Sequence, residues 1–72
     1  MKSEALKQLI QERPFLPLEV YLSSGRKHII LQPECAAIGR ETLVIIDPET
    51  DVVNHCSLIH ITNVVRQQQS AA

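Results

Sequence analysis

Leu18-Glu19-Val20-Tyr21-Leu22-Ser23-Ser24-Gly25-Arg26-Lys27-His28-Ile29-Ile30-Leu31 is the stretch whose reading decides the fold. Leu18, Val20 and Leu22 alternate with Glu19 and Tyr21, the period of two that sets one face of a strand against a core and the other in solvent. Ser23 to Arg26 reads as a tight turn in which Gly25 supplies a positive φ, and Lys27 to Leu31 continue as the return strand. The pair is an antiparallel hairpin.

Toward the N-terminus, Ser3 is the expected N-cap of a short helix. Glu4 lies near its positive end, and Ala5, Leu6, Leu9 and Ile10 recur at helical spacing. Pro14 cannot donate a backbone hydrogen bond and disfavours helical geometry in the residue before it, so the helix should stop near Arg13. Pro14 to Pro17 then form an extended connector, with Phe15 as a plug beneath the helix.

Toward the C-terminus, Pro33 cannot occupy the middle of a sheet and marks a sharp bend, a bulge or the end of pairing before Glu34 to Ile38. Gly39-Arg40-Glu41 is a second turn. The β-branched run Thr42 to Ile46 reads as a strand buried on both faces. Asp47 to Asp51 is an acidic loop, and Val52 to Cys56 resume strand character. Cys56 and Leu58 share one parity while Ile59 and Ile61 share the other, so a bulge or a one-turn break is expected near Ser57-Leu58. His60 to Val65 form the last strand. Residues 1–66 thus make one domain, and 67–72 a polar, disordered tail.

No crossover helix separates these ribbons, so antiparallel pairing is the economical solution. The expected class is α+β, mainly β: an N-terminal helix followed by a five- or six-strand, strongly bent antiparallel sheet that curls into a small barrel and so removes most free edges.

A chain of 72 residues buries only about 60 to 65% of the surface its unfolded form exposes. Cores of this size need disulfides, a metal or self-association. The two cysteines, Cys35 and Cys56, form no C-x-x-C pair and read as small buried hydrophobes in a reduced, cytoplasmic setting. His28, Cys35, His55, Cys56 and His60 lack the paired spacings of zinc sites, so no metal is expected. Asp47, Glu49 and Asp51 lack the glycine and the distal glutamate of a calcium loop. Self-association remains, and the apolar fraction of 44% favours it.

The longest apolar runs, Leu43 to Ile46 and Leu58 to Ile61, are far shorter than the roughly 20 residues of a membrane-spanning helix. Seven Lys and Arg against eight Asp and Glu give a net charge of −1, so any nucleic-acid surface must be local. Tyr21, Arg26, Lys27, His28, Arg40 and His60 are the candidate contacts for RNA or a partner protein, combining turn cations with rings on which unpaired bases can stack. No cofactor-binding motif is present, and His55 and Cys56, adjacent in a strand, point to opposite faces, so enzymatic activity is not expected.

Arg13-Pro14-Phe15 with Pro17, Gly25-Arg26, Pro33-Glu34, Ile38-Gly39-Arg40 with Thr42 to Ile45, and Ser57-Leu58-Ile59-His60-Ile61-Thr62 together resemble a family of short bacterial proteins with no established activity. The order of helix and strands, with Glu19 to Gly25 as first strand and turn and Ser57 to Val65 as closing strands, also resembles the Sm-like family of small barrels, Hfq-type RNA chaperones among them. That resemblance implies an Sm-like or SH3-like small barrel, a homo-oligomer, and RNA binding. Where that family bends a strand at a glycine, this chain has Ile29, Ile30 and Leu31 and would bend at Pro33. The alternative is a protein-interaction or structural subunit that pairs through an exposed sheet edge, such as Val52 to Cys56.

Overall fold

Alternating apolar side chains from two small sheets meet beneath one helix. The computed structural model describes residues 1–67. Helix α1 (Ser3–Gln11) comes first, followed by β1 (Leu18–Leu22), β2 (Lys27–Ile30), a 3₁₀ turn at Pro33–Cys35, β3 (Ala36–Ile38), β4 (Thr42–Ile46), β5 (Val53–Ser57), a second 3₁₀ turn at Leu58–His60, and β6 (Ile61–Arg66).

The strands form two three-stranded antiparallel sheets, β2-β1-β6 and β3-β4-β5. The single closed barrel expected from the sequence is not formed: among the described residues no ladder joins one sheet to the other. The sheets connect along one side through β2, the Pro33 turn and β3, where proline interrupts the ladder that a continuous bent strand would carry. On the other side the chain crosses from β5 to β6 through Leu58–His60. This is the break that the parity switch called for, realised as a 3₁₀ turn. Leu58 is buried in it and Ile59 is 79% exposed.

Leu18, Val20, Ile30, Leu43, Ile45, Cys56, Leu58 and Ile61 make the core with Leu6 of α1, which is fully buried. Leu9, Ile10 and Phe15 pack against this cluster, so the helix and its connector cover one end of the space between the sheets. Lys2, not Ser3, occupies the N-cap, and no side chain bonds the free amides there; Ser3 is the first helical residue. At the other end the Arg13 guanidinium donates to the carbonyls of Ile10 (2.8 Å) and Glu12 (2.9 Å), satisfying acceptors that the helix leaves open. The Arg13-Pro14 peptide bond is cis.

Strand β4 also differs from expectation. Leu43 and Ile45 are buried, but Val44 and Ile46 are half-buried and Thr42 is exposed. Among the described residues the run is therefore a one-sided strand, with Leu43 and Ile45 inward and the alternate positions toward solvent. Gly25 has φ of 90°, as the first hairpin requires, and Asp51 has φ of 61° in the acidic loop, where Asp47 Oδ1 accepts from Glu49 N at 2.9 Å. Gln67 N donates to the Pro17 carbonyl at 2.8 Å, extending the tie between the end of β6 and the start of β1. The rest of the expected polar tail lies outside the described residues. No helix among the described residues is long and apolar enough to cross a membrane.

Both cysteines are free and buried, and burial pushes the Cys56 thiol up from its ordinary value. A thiol-specific disulfide reagent at pH 7.5 should therefore label the native protein far more slowly than the urea-unfolded chain; equal rates would mean that neither thiol sits in the core. Leu6→Ala should cost about 2 to 5 kcal/mol, as large-to-small changes at fully buried sites do. That is comparable to the whole stability of a core this small, about 3 to 5 kcal/mol. Urea denaturation monitored by circular dichroism would check it, and a loss below about 1 kcal/mol would show that α1 is not part of the core.

Candidate functional site

The six candidate contact residues do not form one site. Strand parity separates them first. In the β1–β2 ladder Tyr21 lies opposite Lys27 on the outer face, whereas His28 lies opposite buried Val20. Tyr21 and Lys27 are in contact, with the Lys27 ammonium 5.9 Å from the ring centroid. The same ammonium bonds Glu19 at 3.1 Å, and the hydrogen bond and charge of Glu19 hold Lys27 above the usual lysine value. The pair is exposed to solvent and contributes little to stability. Arg26 is exposed in the adjoining turn. Tyr21, Arg26 and Lys27 are thus brought together, but the ring and the ammonium already have each other and Glu19 as partners.

His28 lies half-buried in a different cleft, with Ile29, Leu31, Asp47 and Asn54 around it. Arg40 lies beside Glu41, Glu4, Met1 and Ile59 near the start of the helix. His60 lies in a third place, where its Nδ1 is 3.3 Å from Ser23 Oγ.

That third place lies between the end of β1 and β5. It is a cleft of about 350 Å³ between Leu22, Ser23 and Ser24 on one side and His55, Cys56 and Ser57 on the other, with His60 at its end. No β4 residue lines it, so it runs along the edge of β5 that β4 leaves free. The backbone fixes its walls: Ser23 N donates to the His60 carbonyl, and Leu58 N donates to the Glu41 carbonyl, each at 2.8 Å. Ser23 was not among the residues chosen from sequence, and His55 was weighed only as a metal ligand, as a neighbour of Cys56 and as part of the Val52 to Cys56 edge. The available signal was the polar composition of residues 53–57 between two apolar neighbours, which marks a strand with a solvent-facing edge.

The chemistry of the cleft does not resemble a nucleophilic centre. Cys56 is inward and buried, with its thiolate disfavoured, the reverse of an activated cysteine. His55 sits on the other face, opposite Val44. Among the described residues no cluster of three or more His, Cys, Asp and Glu could hold a metal ion.

Exposed valines lie at or beside two of the open edges. Val52 and Val53 are 51% and 48% exposed at the start of β5, and Val65 is 38% exposed on β6. Both strands pair on one side only, β5 with β4 and β6 with β1. Compared with protein-family models, with curated proteins and with solved structures, the chain matches none.

Proposed function

We propose that this chain is a homo-oligomeric binding module whose two sheets are the halves of a small Sm-like barrel, with the free edge of β5 in one copy pairing with the free edge of β6 in the next. The observation that carries this reading is that β5 and β6 each pair on one side only and each bear an exposed valine. A free edge presents unpaired N–H and C=O groups that a second strand satisfies. Neither strand carries a lysine or a proline that would blunt it, and the one charge, Arg66 at the end of β6, lies on the face of Leu18 and pairs with Glu12.

The two edges differ, so the contact is heterologous, and heterologous contacts close into rings when the rotation per subunit allows. The small core supports the same reading, because association supplies the burial that so short a chain lacks. Kinship with the short bacterial family and with the Sm-like barrels belongs to this proposal. So does a reduced, cytoplasmic setting, which the two free thiols support. So does the absence of enzymatic activity, supported by the disfavoured Cys56 thiolate.

Sedimentation equilibrium at pH 7.5 should give a mass several times that of the 8.1 kDa chain. Val53→Lys or Val65→Lys should weaken assembly at least about 10-fold, one such loss being worth about 1.4 kcal/mol. The effect on folding should stay within about 0.5 kcal/mol, since both positions are exposed in the single chain. A strict monomer at millimolar concentration would remove the proposal.

One observation favours a second reading, RNA contact on the outer face of β1 and β2: Tyr21 and Lys27 lie side by side, with Arg26 in the next turn. This reading expects filter retention of poly-U or poly-A at low salt that Tyr21→Ala reduces at least about 10-fold, a stacked base being worth about 1 to 3 kcal/mol. No retention would remove RNA and leave self-assembly standing.

A further inference from the structure

Ile59 is the most exposed large apolar side chain among the described residues, at 79%, although the backbone that carries it is fixed. Leu58 before it is buried, and hydrogen bonds of 2.8 Å hold both sides of the turn, Leu58 N to the Glu41 carbonyl and Ser23 N to the His60 carbonyl. A side chain presented on fixed backbone loses little freedom when it is covered. Beside it opens a cleft of about 470 Å³ between the start of α1 and the β3–β4 turn. Lys2 and Glu4 stand on the helix wall of this cleft, Arg40 and Glu41 on the turn wall, and all four are exposed. Each wall thus carries one cation and one carboxylate. The ion pairs among the described residues are Lys27–Glu19 and Arg66–Glu12, so these four charges have no such partner within the chain.

We propose that this patch is a two-fold contact with a second copy of the chain, in which Ile59 of each copy enters the cleft of the other. The charges select the occupant. A patch of one sign calls for a partner of the opposite sign, whereas this one balances both signs and complements itself. In a two-fold contact the same surface lies on both sides, so the neighbour's charges are those of this chain. With the helix wall of one copy facing the turn wall of the other, Lys2 meets Glu41 and Arg40 meets Glu4, and each pair forms twice. Ile59 is then an apolar anchor inside a charged rim, the anatomy in which the centre supplies most of the affinity and the rim sets the register. None of these residues belongs to β5 or β6, so the contact is independent of the edge pairing proposed above. Where both operate, the two-fold joins one edge-paired assembly to another.

The experiment is sedimentation equilibrium of the full chain at pH 7.5, with circular dichroism on the same samples to establish that each variant is folded. The set is the wild type, Ile59→Asp, Arg40→Glu, Glu4→Arg and the charge swap Arg40→Glu/Glu4→Arg. Ile59→Asp should raise the dissociation constant of this contact at least about 30-fold, as loss of an interface anchor does. It should thereby halve the mass of the wild-type assembly. Either single reversal sets like charges opposite each other twice and should weaken the contact at least about 10-fold. The swap restores opposite signs and should return to within about 3-fold of the wild type. An Ile59→Asp chain that assembles like the wild type overturns this contact and leaves edge pairing standing. Single reversals that weaken assembly without recovery in the swap overturn it too, because Arg40 and Glu4 would then not face each other. Halving by Ile59→Asp, in a chain whose assembly ignores Val53→Lys and Val65→Lys, supports this contact and removes edge pairing. A wild type that is monomeric at millimolar concentration overturns both.

Discussion

The crossing at Leu58–His60 governs this molecule. Three residues carry the chain from one sheet to the other. Two backbone hydrogen bonds, Leu58 N to Glu41 O and Ser23 N to His60 O, pin the crossing to the β3–β4 turn and to the end of β1. With Leu58 sunk in the core as an anchor, β5 and β6 leave the crossing in different sheets and cannot pair as a hairpin. The seam between them is a consequence of how the core is closed, not of a missing strand.

That arrangement concentrates the core and the exposed surface in complementary places. Buried side chains of both sheets converge on Leu6, which turns a nine-residue helix into part of the packing. The outer faces and the open edges of β5 and β6 retain Val44, Ile46, Val52, Val53 and Val65 in partial or full contact with water. A short chain that leaves β-branched side chains along unpaired strand edges gains most by covering those edges, because each pairing satisfies backbone groups and removes apolar surface from water together.

Much of the fold was legible because parity and backbone chemistry are local. The alternation of Leu18, Val20 and Leu22, the positive φ of Gly25, the interruption at Pro33 and the change of inward face after Cys56 each appear where the residues place them. The two-sided burial of Thr42 to Ile46 did not follow, since a β-branched run states that a strand suits its residues and not whether a second layer covers them. Ser3 failed as a cap because the helix begins one residue earlier than its side chain requires. The closed barrel failed because sheet closure depends on ladders between residues distant in sequence. The candidate site was legible only in part. Lys27 and His28 are neighbours in the chain and opposite in the sheet, so turn charges that look clustered in sequence divide between two faces. His55 gained its place through proximity to Ser23 and His60, which no spacing along the chain encodes.

Amide hydrogen exchange across a concentration series tests the central claim most directly, that the unpaired edges of β5 and β6 are covered by neighbouring copies. Slowing of amides within 53–57 and 61–66 as protein concentration rises, with amides of β3 unaffected, is the predicted result. Edge amides that exchange at the same rate from micromolar to millimolar protein would contradict it.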